Sequence, residues 1–463
     1  MHRRQFLQYA LGLPSLAQAS NLSASMGEAY RAVVCIFLHG GNDAHNTVIN
    51  TTPSNWSHYE ACRPDASNSL GLSRASILPI DAKNDINMQS FGLHPALVNT
   101  SRLFNGGHLS VMANIGPLEE RTTKHGYDSK SAQLPKKLFS HNDQQSNWQS
   151  FGPEGTSLGW AGLIADKLRH LNEQDLFTAI SMVSNCVWLS GRRVQAYQSD
   201  VHGGLRVGTK LDARSVPRVY GSDVLAEHLN AILQGAPSPS WIVRDVATIN
   251  RRAVLAQSIL ENALPDPRHK DFAVPDQWAC GLSEQLSTVV RMMRAHGTLG
   301  IRRQFFFVSL YGFDTHDRQR QRHHALLTEL DKGLAYFYQA LSQSGLFNQV
   351  TTFTASDFGR TLTTNGDGTD HGWGGHQLVM GGSVAGSRIL GDFPLLGERS
   401  RSSNEFPDCP HLLTNGVMLP TTSVHALSYQ LGAWMGLNAS DLRALWPKSD
   451  SDPGDLSAMF SEV

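Results

Sequence analysis

An α/β fold, a doubly wound and mainly parallel sheet with helices on both faces, is predicted by three observations. Short apolar runs at 31–41 (RAVVCIFLHGG), 108–116 (HLSVMANIG), 303–316 (RQFFFVSLYGFDTH) and 349–359 (QVTTFTASDFG) lack strict alternation. Strands of that kind are covered on both faces. Amphipathic segments at helical spacing separate them, and strand–helix alternation argues for a parallel sheet. Third, three of the runs stop abruptly in polar clusters: His39-Gly40-Gly41-Asn42-Asp43, Asp314-Thr315-His316 and Ser356-Asp357. Ligands of open parallel sheets gather beyond the carboxyl ends of the strands, so these clusters are expected at one edge.

The elements follow in order. Residues 1–20 (MHRRQFLQYALGLPSLAQAS) carry a basic start with Arg3 and Arg4, a short apolar middle and a small-x-small end at Ala17-Gln18-Ala19. This resembles a bacterial Tat signal, which implies the Tat export machinery as a partner and a periplasmic or secreted mature protein. Residues 28–463 are expected to form one large α/β domain. Segment 93–107 reads as a helix stopped by Gly-Gly, 158–171 as an amphipathic helix and 323–345 as a long one. The mostly helical stretch 221–297 is expected to be an insertion. The segments near 117–157 and 391–420 read as long surface loops.

The 463-residue chain is 40% hydrophobic and 17% charged, the balance of a globular protein with a large core. Its 39 basic and 40 acidic residues leave no electrostatic footprint for nucleic acid. No run beyond the N-terminus is long and apolar enough to span a membrane in the mature form. The cysteines, Cys35, Cys62, Cys186, Cys280 and Cys409, are odd in number and widely spaced. A disulfide framework is not expected, although one bridge is open.

Candidate chemistry lies at the strand ends. Asp43, Asp314, His316, Asp357, Asp370 and His371, brought together, could not stay charged and unpaired in a dry cleft. One or two divalent ions would neutralise them, and the donor mix suits Zn, Mn, Mg or Ca. Taken singly, each has an ordinary alternative as a helix cap or turn residue. Arg360 could clamp an anion through two parallel bonds or pair with an acid to hold its loop.

The motifs LHGGNDAHNTV, LHPAL, FSHNDQQSNWQ, FDTH, SDFGRT, TDHGWGGH and LVMGGSVAGSRILGDFP occur in that order. Together they resemble the Tat-exported bacterial family called domain of unknown function 1501, a branch of the alkaline phosphatase and sulfatase superfamily. The resemblance implies an alkaline-phosphatase-like fold and a metal-dependent hydrolase of phosphate or sulfate esters, acting on a small-molecule or polysaccharide ester. It matches Asp43, Asp314, His316, Asp357 and His371 to metal ligands. It also places a nucleophile at a helix start, matched here by Ser140 with His141 as acid, base or ligand. Phe358 stands where a further nitrogen ligand would be, leaving Asp370 or His376 to supply it. The alternative is a non-catalytic glycan- or partner-binding protein on the same scaffold.

Overall fold

The computed structural model describes residues 29–66, 69–84, 88–183, 186–199, 209–211, 217–219, 224, 240–446 and 456–461. The expected export signal at 1–20 lies outside them. The main sheet has nine strands: β1 Arg31–His39, β2 Leu109–Gly116, β3 Ala179–Ser181, β4 Tyr197–Gln198, β5 Arg303–Tyr311, β6 Val350–Ser356, β7 Gly375–Met380, β8 Ile389–Leu390 and β9 Thr422–Ser423. Their spatial order is β8-β2-β7-β6-β1-β5-β3-β4, with β9 also on β2. Every strand runs the same way except β7, which is antiparallel to both neighbours.

The sequence of β1 shows why both faces are covered. Ala32, Val34, Ile36 and Leu38 point into one apolar cluster, while Val33, Cys35 and Phe37 point into another. On the first face pack α1 Val98–Asn105, α5 Gly281–Arg294 and α6 Gln319–Gln343. Their Phe104, Leu286, Val290, Leu330 and Phe337 are buried there. On the second face pack α3 Trp160–Leu168 and α7 Val424–Met435, through Ile164, Leu168, Leu427 and Leu431. A fully apolar strand suits only such a doubly covered position.

Some expected elements differ. Within 221–297, a helix spans Trp241–Ala263 (α4), and most of 221–239 lies outside the described residues. α5 is no insertion, because its apolar face packs on α6 and β5 and forms part of the core. The expected loop 117–157 contains helix α2 His141–Ser150, and the loop after Asp357 feeds strand β7. All five cysteines are free, and no helix among the described residues is long and apolar enough to cross a membrane.

β6, β1 and β5 lie side by side and parallel, with Leu38 opposite Ser356 and His39 opposite Tyr311. Their carboxyl ends therefore share one edge, and the three polar clusters meet there. Gly40 makes the junction possible: at φ +117° its backbone passes so close that a Cβ would lie 2.2 Å from the Asp314 nitrogen.

The core also buries neutral imidazoles. His376 Nδ1 accepts from the Asn114 backbone N–H at 3.1 Å, and His94 Nδ1 accepts from Ala96 N–H at 3.0 Å. Burial pushes His376 and His94 down to about 3 and His323 down to about 4, from an ordinary 6.5. Between these values and 6.5 the unfolded chain binds more protons, so stability falls as pH drops through that window and levels off below it. Urea unfolding at pH 7 and pH 5 should show the loss, up to about 1.4 kcal/mol per pH unit per histidine. His376→Gln should make the dependence shallower, and an unchanged slope would contradict the assignment.

Candidate metal centre

Three imidazoles and one carboxylate meet where β1, β5 and β6 end. Asp314, in the loop after β5, is 47% exposed. Its Oδ2 lies 3.6 Å from His141 Nε2, and its Oδ1 lies 3.4 Å from His371 Nε2 and 3.1 Å from His316 Nε2. Two of the imidazoles are hydrogen-bonded from their outer side. His141 Nδ1 is 2.6 Å from Asp357 Oδ2, and His371 Nδ1 donates to the Phe139 carbonyl at 2.7 Å. His316 Nδ1 stands 3.8 Å from Asp370 Oδ1. The partners of His141 and His371 leave their Nε2 atoms facing inward, that of His141 toward Asp314 and that of His371 toward both Asp314 and His316 Nε2, the latter at 2.9 Å.

The local chain conformation serves that aim. Phe139 adopts φ +73°, uncommon for a bulky residue, and its carbonyl receives the His371 proton just before α2 begins. His141 is the first residue of α2. Phe358 lies beneath the cluster, its ring 4.9 Å from the His141 ring and 4.5 Å from that of His371. Asp357 is wholly buried and accepts from Gly40 N–H at 3.2 Å and Gln145 Nε2 at 2.9 Å besides His141.

Charge shifts follow the contacts. The hydrogen bond to Asp357 raises His141 above its ordinary value, against the opposing effect of burial. Burial lowers His371, keeping it neutral, although the Phe139 carbonyl works the other way. Burial alone would raise Asp314, but Arg360, with His316 and His141, outweighs it and holds the carboxyl below its ordinary value.

The donor set fits a divalent ion. His141, Asp314 and His371 each offer one ligand atom, all within 4.8 Å of one another. Ligands about 2.0–2.2 Å from a zinc-like ion stand roughly 3–4 Å apart, and the 3.4 and 3.6 Å separations, each to a different oxygen of Asp314, lie in that range. Two imidazoles and one carboxylate suit Zn or Mn better than Mg or Ca, which prefer all-oxygen shells. The cluster opens on a cleft of about 620 Å³ lined in part by His39, His141, Gln145, Gln149, Tyr311 and Asp314.

A family model described as protein of unknown function (DUF1501) matches residues 30–445. The chain belongs to that family. It is the family that the ordered motifs resemble. A search of curated protein sequences returns no match. Among solved structures, the chain is similar at 9% identity to Ps i-CgsB in complex with k-i-k-neocarrahexaose, with a TM-score of 0.35 over 90% of this chain and 74% of that one. PsFucS1 sulfatase from Pseudoalteromonas sp. gives 10% identity and a TM-score of 0.30, covering 81% and 66% of the two chains. The phosphonate monoester hydrolase SpPMH from Silicibacter pomeroyi gives 9% and 0.29, covering 88% and 74%. Superpositions this loose carry no argument about activity or substrate, so the chemistry of this DUF1501 chain is argued from its side chains.

Several expected roles need correction. Asp43 is buried and does not join the cluster: Arg63 Nη1 donates to its Oδ2 at 2.7 Å, Arg63 Nη2 to its Oδ1 at 3.2 Å, and Gln319 Nε2 to its Oδ2 at 2.6 Å. The charge that a metal would have neutralised is met by a guanidinium. Burial alone would raise Asp43, and Arg63 brings it below its ordinary value. Asp357 stands one hydrogen bond out, orienting His141. Asp370 is exposed, accepts from Asn365 Nδ2 at 2.7 Å and faces the outer side of His316. His376 is buried in the core, away from the role of replacement ligand.

Arg360 is no anion clamp either. Its Nε donates to Gly41 O at 3.0 Å, its Nη1 to Thr369 O at 3.0 Å, and its Nη2 to Gly40 O at 2.7 Å, Phe313 O at 3.0 Å and the Asp314 carboxylate. Buried and fully bonded, it ties three loops and locks Asp314. Ser140 Oγ donates to Asp143 Oδ2 at 2.9 Å, which anchors the start of α2, and Ser140 does not line the cleft.

Arg63 escaped sequence reasoning. It follows the helix Pro53–Cys62 with no motif, and only the burial of Asp43 demands it. Removing one partner of a buried pair leaves an uncompensated charge, at a cost of about 3–5 kcal/mol. Arg63→Ala should lose that much in denaturant unfolding while binding metal in the same ratio to protein. Loss of metal without loss of stability would return Asp43 to the ligand set.

Proposed function

We propose that this protein is an exported, metal-dependent hydrolase of phosphate or sulfate esters that works with one divalent ion. The observation that carries the reading is the convergence of three imidazoles, two of them tethered, on the Asp314 carboxylate at the mouth of an open cleft. His141, Asp314 and His371 would hold the ion, and His316 faces the same point from the more exposed side. A divalent ion there supplies Lewis acidity toward an ester oxygen or a water.

The chain's own residues do the rest. Asp357 holds the proton on His141 Nδ1 and keeps its other nitrogen free. The Phe139 carbonyl does the same for His371. Arg360 fixes Asp314 so that its two oxygens reach His141 and His371. His316, half exposed and bonded only at the edge of the cluster, is the group placed to pass a proton to a departing alkoxide. Ser140 does not line the cleft, so water is the favoured nucleophile over this hydroxyl.

The test is a screen of metal-analysed protein against aryl phosphates, phosphodiesters and aryl sulfates with Zn, Mn, Mg and Ca supplied in turn. Asp314→Ala and His371→Ala should abolish both metal binding and turnover. Asp357→Ala should weaken metal binding about 10–100-fold, the usual effect of losing a group that orients a ligand. Ser140→Ala should keep turnover within a few-fold. Bound metal with no turnover on any ester would instead favour the binding-protein alternative.

Export rests on the resemblance of residues 1–20 to a Tat signal. Replacing both Arg3 and Arg4 by Lys should leave the protein in the cytoplasm in a fractionation assay, and unchanged export would contradict the assignment.

A further inference from the structure

The cleft extends beyond the metal-holding cluster, and its far wall has its own chemistry. Tyr311, the last residue of β5, is 57% exposed. One face of its ring lies on the His39 imidazole, with centroids 4.4 Å apart and planes 8° from parallel. His39 is itself held by Ser309 Oγ at 3.1 Å, and burial keeps it neutral. The phenol is thus a braced platform whose open face looks into the cleft.

Two amides opposite are preset by their bonds. Gln149 Oε1 accepts from the Trp188 backbone N–H at 3.1 Å, which leaves the Gln149 NH₂ to donate. Gln145 Nε2 donates to Asp357 at 2.9 Å, which leaves the Gln145 carbonyl to accept. The charged residues lining the cleft are Glu154, Asp314 and Asp357, and no Lys or Arg lines it among the described residues. Arg360, which bonds Asp314 from behind, is buried and has all three of its nitrogens bonded to protein oxygens.

We infer that this wall binds an uncharged sugar ring, with its C–H face on Tyr311 and its hydroxyls on Gln145 and Gln149. An aromatic face beside one preset donor and one preset acceptor matches a ring that is apolar above and hydroxylated at its rim. A second anionic group, as on a multiply sulfated chain, would meet carboxylates with no cation to offset them. A quaternary amine would satisfy the acids but is recognised by cages of several aromatic rings, and among the described residues that line the cleft Tyr311 is the one exposed ring other than histidine, Phe307 being buried. Resting on the hydrolase reading, the proposal names its substrate class: esters of neutral saccharides bearing one anionic group, placed at the metal cluster.

The experiment is calorimetric titration of maltose, cellobiose and chitobiose, and separately of choline, into the full chain and three variants. At least one disaccharide should bind at millimolar concentration. Tyr311→Ala should weaken that binding at least about tenfold, equivalent to about 1.4 kcal/mol, while Tyr311→Phe retains it. His371→Ala, which removes metal, should leave disaccharide binding unchanged. That variant separates the two readings: failure of hydrolysis with intact sugar binding sinks only the hydrolase. If no disaccharide binds, if Tyr311→Ala binds as well as the original chain, or if only choline binds, the saccharide proposal is overturned.

Discussion

The carboxylate of Asp314 is the point on which the site depends. Three imidazoles approach it from three different stretches of chain, and a buried guanidinium locks it from behind. Lone pairs aimed at a carboxylate are unfavourable company unless protons or a cation stand between them. On the proposed reading a cation stands at that centre, with the outer bonds to Asp357 and Phe139 setting which nitrogens face inward.

Charge balance favours one ion over two on the proposed reading. Of the acids expected to bind metal, Asp43 is neutralised by Arg63, and Asp357 is satisfied by hydrogen bonds from Gly40, His141 and Gln145. Both are fully buried, where an unpaired carboxylate would be prohibitive. Phe358 lies where a further ligand nitrogen was expected and instead packs its ring on His141 and His371. The same residues that remove a second cation make the floor of the remaining site rigid and dry, while the Asp314 side stays open to the cleft.

Much of this was legible in the sequence because it follows from strand patterning. β1, β5 and β6 are rich in apolar and β-branched residues and are followed by polar ones, so their parallel alignment and shared edge could be anticipated, and with them the meeting of Asp314, Asp357 and His371. The division of labour among the acids was not legible. Whether Asp43 meets a metal or an arginine depends on where Arg63 lands, twenty positions along and in another loop, and nothing in its local spacing marks it. Arg360 and Ser140 carried residue types suited to chemistry, but their partners are backbone carbonyls and Asp143, contacts that only the folded loops determine. The strand β7 was hidden because its short run GHQLVM follows a glycine-rich loop and reads as its continuation. α5 read as part of an insertion because its helical pattern continues that of α4, although its apolar face belongs to the core.

The most direct test is anomalous diffraction from crystals of the metal-loaded protein. The account predicts a single peak within bonding distance of His141 Nε2, His371 Nε2 and an Asp314 oxygen, and none beside Asp43. A peak at Asp43, or no peak at the imidazole cluster with zinc and manganese both supplied, would contradict it.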